Sequence, residues 1–182
     1  VLPDELLNEG LFDYVVRGEG EKTIGELVEN LLDGRGGEGI EGLSWYQDSA
    51  VVHNPNRALS MDFNTFAYPD WSLFPLKKYG SLARRNDLSL PITTSRGCPF
   101  VCSFCYKGVY GRKLRMRTPE EVVDEWEFLI NRYALREIAV LDDVFSFDLS
   151  RAMAICELLI ARGLDRVPWS TTNGIRVDNV TP

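Results

Sequence analysis

The stretch Ser95-Arg-Gly-Cys-Pro-Phe-Val-Cys-Ser-Phe-Cys105 decides how this chain reads, because the spacing C-x3-C-x2-C places three thiols, Cys98, Cys102 and Cys105, within eight residues. A structural zinc site is closed by four ligands. A 4Fe-4S cluster held by three thiolates instead leaves one iron open to a substrate or cofactor. Upstream, Leu90-Pro-Ile-Thr-Thr-Ser95 reads as a short β-branched strand, so the cysteines sit on a loop that follows a strand. Gly97 allows the backbone a close approach and Pro99 stiffens the turn. Phe100, Val101 and Phe104 are expected to wrap the site in low dielectric.

Other uses of the three thiols fit less well. A zinc site would need Cys156 or the single histidine, His53, as its fourth ligand, and both are far away in sequence. A disulfide among three close cysteines leaves one over, and nothing resembles a signal peptide. The expected setting is reducing and cytoplasmic. Cys156 lies in Ala152-Met-Ala-Ile-Cys-Glu-Leu-Leu-Ile160, an apolar helical stretch, and reads as a buried small hydrophobe.

The 182 residues contain no uninterrupted apolar run long enough to span a bilayer. A net charge of −7 argues against general nucleic-acid affinity. Lys107, Arg112, Lys113, Arg115 and Arg117 cluster just past the cysteines and read as a solvated loop with no assigned role.

Beyond the cysteines, helix and strand alternate. Thr118 and Glu121 form a capping box with Pro119 at the first helical position, and Val122, Trp126, Leu129, Ile130 and Tyr133 recur at helical spacing. Glu137-Ile-Ala-Val-Leu-Asp142 is a strand with a continuous apolar middle, suited to a sheet covered on both faces. A second helix follows, capped by Asp148, carrying Met153, Ile155, Leu158 and Leu159 and stopping at Gly163. Val167-Pro-Trp-Ser-Thr-Thr172 makes a third strand. Strands joined by crossover helices predict right-handed β-α-β units and a parallel sheet, with Cys98, Asp142 and Asn173 all at carboxyl ends of strands.

The cysteine stretch resembles the signature of the radical S-adenosylmethionine (SAM) enzymes. That resemblance implies that SAM chelates the open iron and that one electron from the cluster cleaves it reductively to a 5′-deoxyadenosyl radical. It places Phe104 beside the adenine. It sets Asp142 and Asp143 where the family carries a Gly-Gly-Glu motif against the SAM amino group. Asn173-Gly-Ile-Arg176 is similar to a segment approaching the SAM carboxylate or ribose, which makes Asn173 and Arg176 cofactor-binding candidates. A small-molecule substrate and an electron donor such as flavodoxin or ferredoxin are the implied partners.

Upstream, Tyr14-Val15-Val16 is a strand followed by Gly18-Glu-Gly-Glu21 and a helix with Ile24, Leu27, Val28, Leu31 and Leu32 on one face. A lone Gly-x-Gly flanked by glutamates repels phosphate as readily as it cradles it. Asp13-Tyr-Val-Val-Arg-Gly-Glu-Gly-Glu21 resembles the closing segment of the cobalamin-binding domain that precedes many radical SAM cores. The Asp-x-His-x-x-Gly motif of that domain does not occur; His53 stands in a hairpin expected to turn at Asp48-Ser49. Residues 54 to 86 form a Pro- and aromatic-rich connector whose Pro69-Asp-Trp-Ser-Leu-Phe-Pro75 matches the linker of the cobalamin-type relatives.

The expected architecture is α/β: a partial (β/α) TIM-like radical SAM barrel, its first three strands, preceded by the end of a Rossmann-like cobalamin-type domain and a linker. The regions are 1–39 (cobalamin-binding-like), 40–86 (hairpin and linker) and 87–182 (first half of the core). Val1 is not a methionine and only three core strands precede Pro182, so the resemblance implies a piece of a longer enzyme, with cobalamin bound in the parent, such as a methyltransferase or cyclase. A methylthiotransferase of tRNA or protein is the alternative enzyme. An iron-sulfur electron carrier or a zinc-stabilised binding module is the non-enzymatic alternative.

Overall fold

A computed structural model describes residues 2–60, 64, 66–78, 88–176 and 178. Of the connector, Phe63 and Tyr79 lie outside the described residues. The chain divides into two units, Val1–Met61 with Val101–Gly111 and Asp62–Phe100 with Arg112–Pro182.

In the first unit, helix α1 (Pro3–Asn8) leads into strand β1 (Tyr14–Val16), helix α2 (Glu21–Leu32) and the hairpin β2 (Leu43–Gln47) and β3 (Ala50–His53). The sheet order is β1-β2-β3, antiparallel throughout. The hairpin turns at Asp48 and Ser49, as expected. Both take positive φ, 50° and 66°, the backbone that matches the twist of a two-residue hairpin. Leu27, Ile40, Leu43 and Trp45 form the core.

Helix α2 departs from its sequence pattern, because Ile24, Val28, Leu31 and Leu32 are exposed while Thr23 is fully buried. The hydroxyl of Thr23 explains the exchange: it donates to the Glu41 carbonyl at 2.9 Å and accepts from Arg57 Nε at 2.9 Å, so a polar residue is satisfied on the buried face.

The Gly18-Glu-Gly turn is likewise tied to the chain itself. Glu19 is buried and accepts from the Ser60 backbone N–H at 2.9 Å, and Arg17 donates to the carbonyls of Leu43 and Asn54. This turn anchors the segment after the hairpin.

The second unit carries the parallel sheet. Strands β4 (Ser89–Ile92), β7 (Glu137–Val140) and β8 (Trp169–Thr171) lie in the order β4-β7-β8 and are parallel at both junctions. Between them run the crossover helices α3 (Pro119–Tyr133) and α4 (Leu149–Ala161). Both start where the sequence signals them: Thr118 and Glu121 close the capping box, and the Asp148 side chain accepts from Arg151 N at 3.0 Å. Gly163, at φ 67°, follows α4.

The core gathers Leu90, Ile92, Val122, Trp126, Leu129, Ile138, Val140, Ile155 and Leu159. Trp126 meets Trp169 edge-on, with ring centroids 5.6 Å apart. Met153 is exposed, and Cys156 is half-buried rather than buried. Both lie at positions of α4 beside the narrow buried stripe of Ala152, Ile155 and Leu159. Among the described residues no helix is long and apolar enough to cross a membrane.

A two-residue antiparallel ribbon, β5 (Ser95–Arg96) with β6 (Arg115–Met116), closes the base of the cysteine loop. The thiols therefore hang between two stems that are paired to each other. Those stems continue directly from the carboxyl end of β4 and into the amino end of α3.

The ends of α3 make opposite predictions. Thr118→Ala removes a side-chain cap and lowers stability by about 1 kcal/mol. Ala134, forced to φ 51° at the carboxyl end, pays the left-handed penalty, so Ala134→Gly raises stability by about 1 kcal/mol. Urea unfolding of the two variants checks the pair of signs.

Candidate functional site

The site is built on the carboxyl end of β4. From there Thr94, Ser95 and Arg96 lead to Gly97, whose φ of 84° lies in the left-handed region that favours glycine. Cys98 follows and is buried. Cys102 and Cys105 are exposed, joined by a backbone hydrogen bond from Cys105 N to the Cys102 carbonyl at 3.1 Å. All three thiols are free of disulfides. Cys98 belongs to the parallel-sheet unit, and Cys102 and Cys105 lie in the Val101–Gly111 segment of the other.

Among the described residues, no three His, Cys, Asp or Glu side chains are gathered to hold a metal ion. The donor set is nonetheless chemically suited to iron and sulfide: three unpaired thiols in one short loop, whose gathering would come from the metal–sulfur bonds themselves. A fourth protein ligand is hard to find. His53 has both ring nitrogens engaged, Nδ1 with Ser44 Oγ and Nε2 with Asp4 Oδ1, each at 2.8 Å. Burial pushes the Cys156 thiol up, away from the thiolate a metal needs.

The expected apolar wrapping is not made by Val101 and Phe104, which are 72% and 90% exposed. Phe100 does pack, its ring 5.8 Å from that of Phe147. The two exposed side chains stand on a loop with no regular structure of its own.

Asp142 stands just past the carboxyl end of β7, where the sequence puts it, and its carboxylate is engaged by the chain itself. It is 2% exposed, and its carboxylate accepts from the Thr94 backbone N–H at 2.6 Å, from the Thr94 hydroxyl, and from the Ser95 hydroxyl at 2.6 Å. Three donors fill most of a carboxylate's accepting capacity, so Asp142 fastens β7 to the first stem of the cysteine loop. Asp143, the next residue, is exposed.

Asn173 donates through Nδ2 to the carbonyls of Leu141 and Asp142, both at 3.2 Å, which ties the end of β8 to the end of β7. Arg176 lies over the Phe100 ring, 4.1 Å from its centroid, and pairs with Asp178 through Nε at 2.9 Å. The parallel sheet thus brings Cys98, Asp142, Asn173 and Arg176 to one rim.

Part of the basic run past the cysteines turns inward. Arg115 and Arg117 are buried, against the expectation of a solvated loop. Arg117 pairs with buried Glu125 and donates to the carbonyls of Thr93 and Glu121 at 3.2 and 3.0 Å. Alternation of Arg115, Met116 and Arg117 along a strand is the signal that separates inward from outward positions. Arg151 was also missed. Its place in the first turn of α4, where a cation opposes the helix dipole, marks it as a residue with another purpose.

No family model matches the chain. An uncharacterised methyltransferase of Pyrococcus horikoshii is 36% identical over 169 residues, covering 92% of this chain and 36% of that protein. The anaerobic magnesium-protoporphyrin IX monomethyl ester cyclase of Cereibacter sphaeroides is 32% identical over 163 residues, covering 86% of this chain and 26% of the cyclase. In structure, the chain is similar to the radical SAM methyltransferase TsrM of Kitasatospora setae, solved with cobalamin and a [4Fe-4S] cluster bound. That likeness has a TM-score of 0.62 at 22% identity, over 88% of this chain and 32% of TsrM. The chain spans between about a quarter and about a third of the length of these relatives. Methyltransferases and a cyclase do not favour the methylthiotransferase reading.

Burial raises the Glu125 carboxyl above its ordinary 4.5, and Arg117 only partly offsets it. The folded chain then holds that proton more tightly than the unfolded one, so stability falls as pH rises from 4.5 through the folded value. Glu125→Gln removes this component. Urea midpoints measured from pH 4.5 to neutrality decline less in the variant than in the parent; parallel curves contradict the assignment.

Proposed function

We propose that this chain belongs to the radical SAM family of the cobalamin-associated type and carries the cluster loop of a SAM-cleaving enzyme, a reading that its similarity to these relatives supports. Cys98, Cys102 and Cys105 hold a 4Fe-4S cluster and leave its fourth iron to SAM. The observation that carries this reading is the donor set: three free thiols in one loop at a strand's carboxyl end, with the sole histidine engaged elsewhere. When bound and reduced, the cluster supplies the electron that splits SAM to methionine and a 5′-deoxyadenosyl radical.

The chain's own residues position the cofactor. Phe104, almost fully exposed on the loop, offers a flat apolar face for the adenine. Asp143, exposed where Asp142 is not, faces the SAM amino group. Asn173 and Arg176, at the end of β8, lie toward the carboxylate and ribose. Asp142 is given no direct contact, since its oxygens are engaged with Thr94 and Ser95.

The electron comes from a flavodoxin or ferredoxin, and the substrate is a small molecule. Methyl transfer or cyclisation is the outcome suggested by the names of the relatives, with cobalamin bound in the full-length protein. Free thiols suit a reducing, cytoplasmic setting.

Anoxic reconstitution of the intact protein with iron and sulfide is expected to give about four irons per chain. Dithionite and SAM should then yield 5′-deoxyadenosine. Replacing Cys98, Cys102 or Cys105 by Ala abolishes iron retention, while Cys156→Ala leaves it intact. Zinc without iron, or a cluster that depends on Cys156, overturns the proposal.

A further inference from the structure

The cysteine loop leaves the parallel sheet through one stem at Thr94 and returns through another at Arg117. The Arg117 N–H donates to the Thr94 carbonyl at 3.0 Å, marking the point where the stems meet. Arg151, from the first turn of α4, reaches this point with its guanidinium. Its Nε donates to the Arg117 carbonyl at 2.7 Å and its Nη2 to the Thr94 carbonyl at 2.8 Å. One guanidinium therefore grips both stems at once.

The same residue is fixed at its own end by helix geometry, because its backbone N–H is held by the Asp148 cap at 3.0 Å. Only 8% of it is exposed, and its Nη1 has no protein partner among the described residues. Asp142 supplies the compensating charge and grips the entering stem through Thr94 and Ser95. A planar fork of donors is what such a double grip requires, and lysine has no equivalent.

We infer that Arg151, together with Asp142, is a positioning residue for the cluster loop: it locks the two stems together so that Cys98 is presented in one place when the other two thiols close on the metal. This rests on the proposed cluster-binding role of the cysteines. Partners that orient metal ligands without touching the metal shift affinity by about 10- to 100-fold when removed.

The test compares Arg151→Met, Arg151→Lys and Thr94→Val with the parent in the intact protein, using Arg162→Met as control. Arg162 also pairs across helices, with Asp124 and Glu127, but on the surface. Two readouts are taken. In the first, iron loss to a chelator from the reconstituted protein is followed by its visible absorption. Arg151→Met loses iron about 10- to 100-fold faster than the parent, Arg151→Lys falls between them, and Arg162→Met matches the parent. In the second, amide hydrogen exchange is measured without metal. Exchange accelerates at residues 94–96 and 115–117 in Arg151→Met and Thr94→Val while the centres of α3 and α4 stay protected.

Unchanged iron loss and unchanged stem exchange overturn the inference. So does iron loss that merely follows a global fall in thermal midpoint shared with Arg162→Met. A parent protein that takes up no iron defeats the cluster reading, and the exchange experiment then judges the stem lock by itself. Should Arg151→Met fail to fold, Thr94→Val, which deletes only the hydroxyl bond to Asp142, carries both readouts.

Discussion

The carboxylate of Asp142 is the constraint on which the rest of the site depends. It stands at the carboxyl end of β7, is buried, and accepts from the backbone of Thr94 and the hydroxyls of Thr94 and Ser95. A buried charge is costly unless its lone pairs are filled, and once they are filled the surrounding groups lose their freedom. The chain thus fixes where β4 ends, and the end of β4 sets where Cys98 begins. Arg151 carries the same logic to the returning stem, and Arg117 with Glu125 extends it into α3.

This arrangement separates two kinds of residue that sequence alone merges. Near the sheet are polar groups already satisfied by the protein, which hold the stems. Cys102, Cys105, Val101 and Phe104, by contrast, are left exposed by the chain. Large apolar side chains and free thiols exposed together on one loop are unusual for a settled surface. A cluster and a nucleoside-bearing cofactor would engage both, which is why these exposed residues, together with buried Cys98, are assigned to binding and the buried polar groups to positioning.

The fold was legible wherever local chemistry and periodicity agreed. The capping box at Thr118, the cap at Asp148, the stop at Gly163 and the turn at Asp48-Ser49 are each written in a few adjacent residues. The alternation of strand and helix gave the parallel sheet, and with it the shared rim of Cys98, Asp142 and Asn173. What could not be read was decided by partners distant in the chain. Asp142 and Asp143 are identical in type, yet only the structure makes one a buried clamp and the other an exposed carboxylate. Arg117 looks like a member of a solvated run until its partner Glu125 appears. The apolar stripe of α2 promised five buried residues, but a narrow sheet covered only Leu27 among them.

The central claim is that three thiolates leave one iron vacant for SAM. It is tested most directly by low-temperature EPR of the reduced, reconstituted intact protein before and after SAM is added. The account predicts a reduced-cluster signal whose g-values shift when SAM binds the open iron. A signal indifferent to SAM, as from a cluster closed by four protein ligands, or no cluster signal at all, would contradict it.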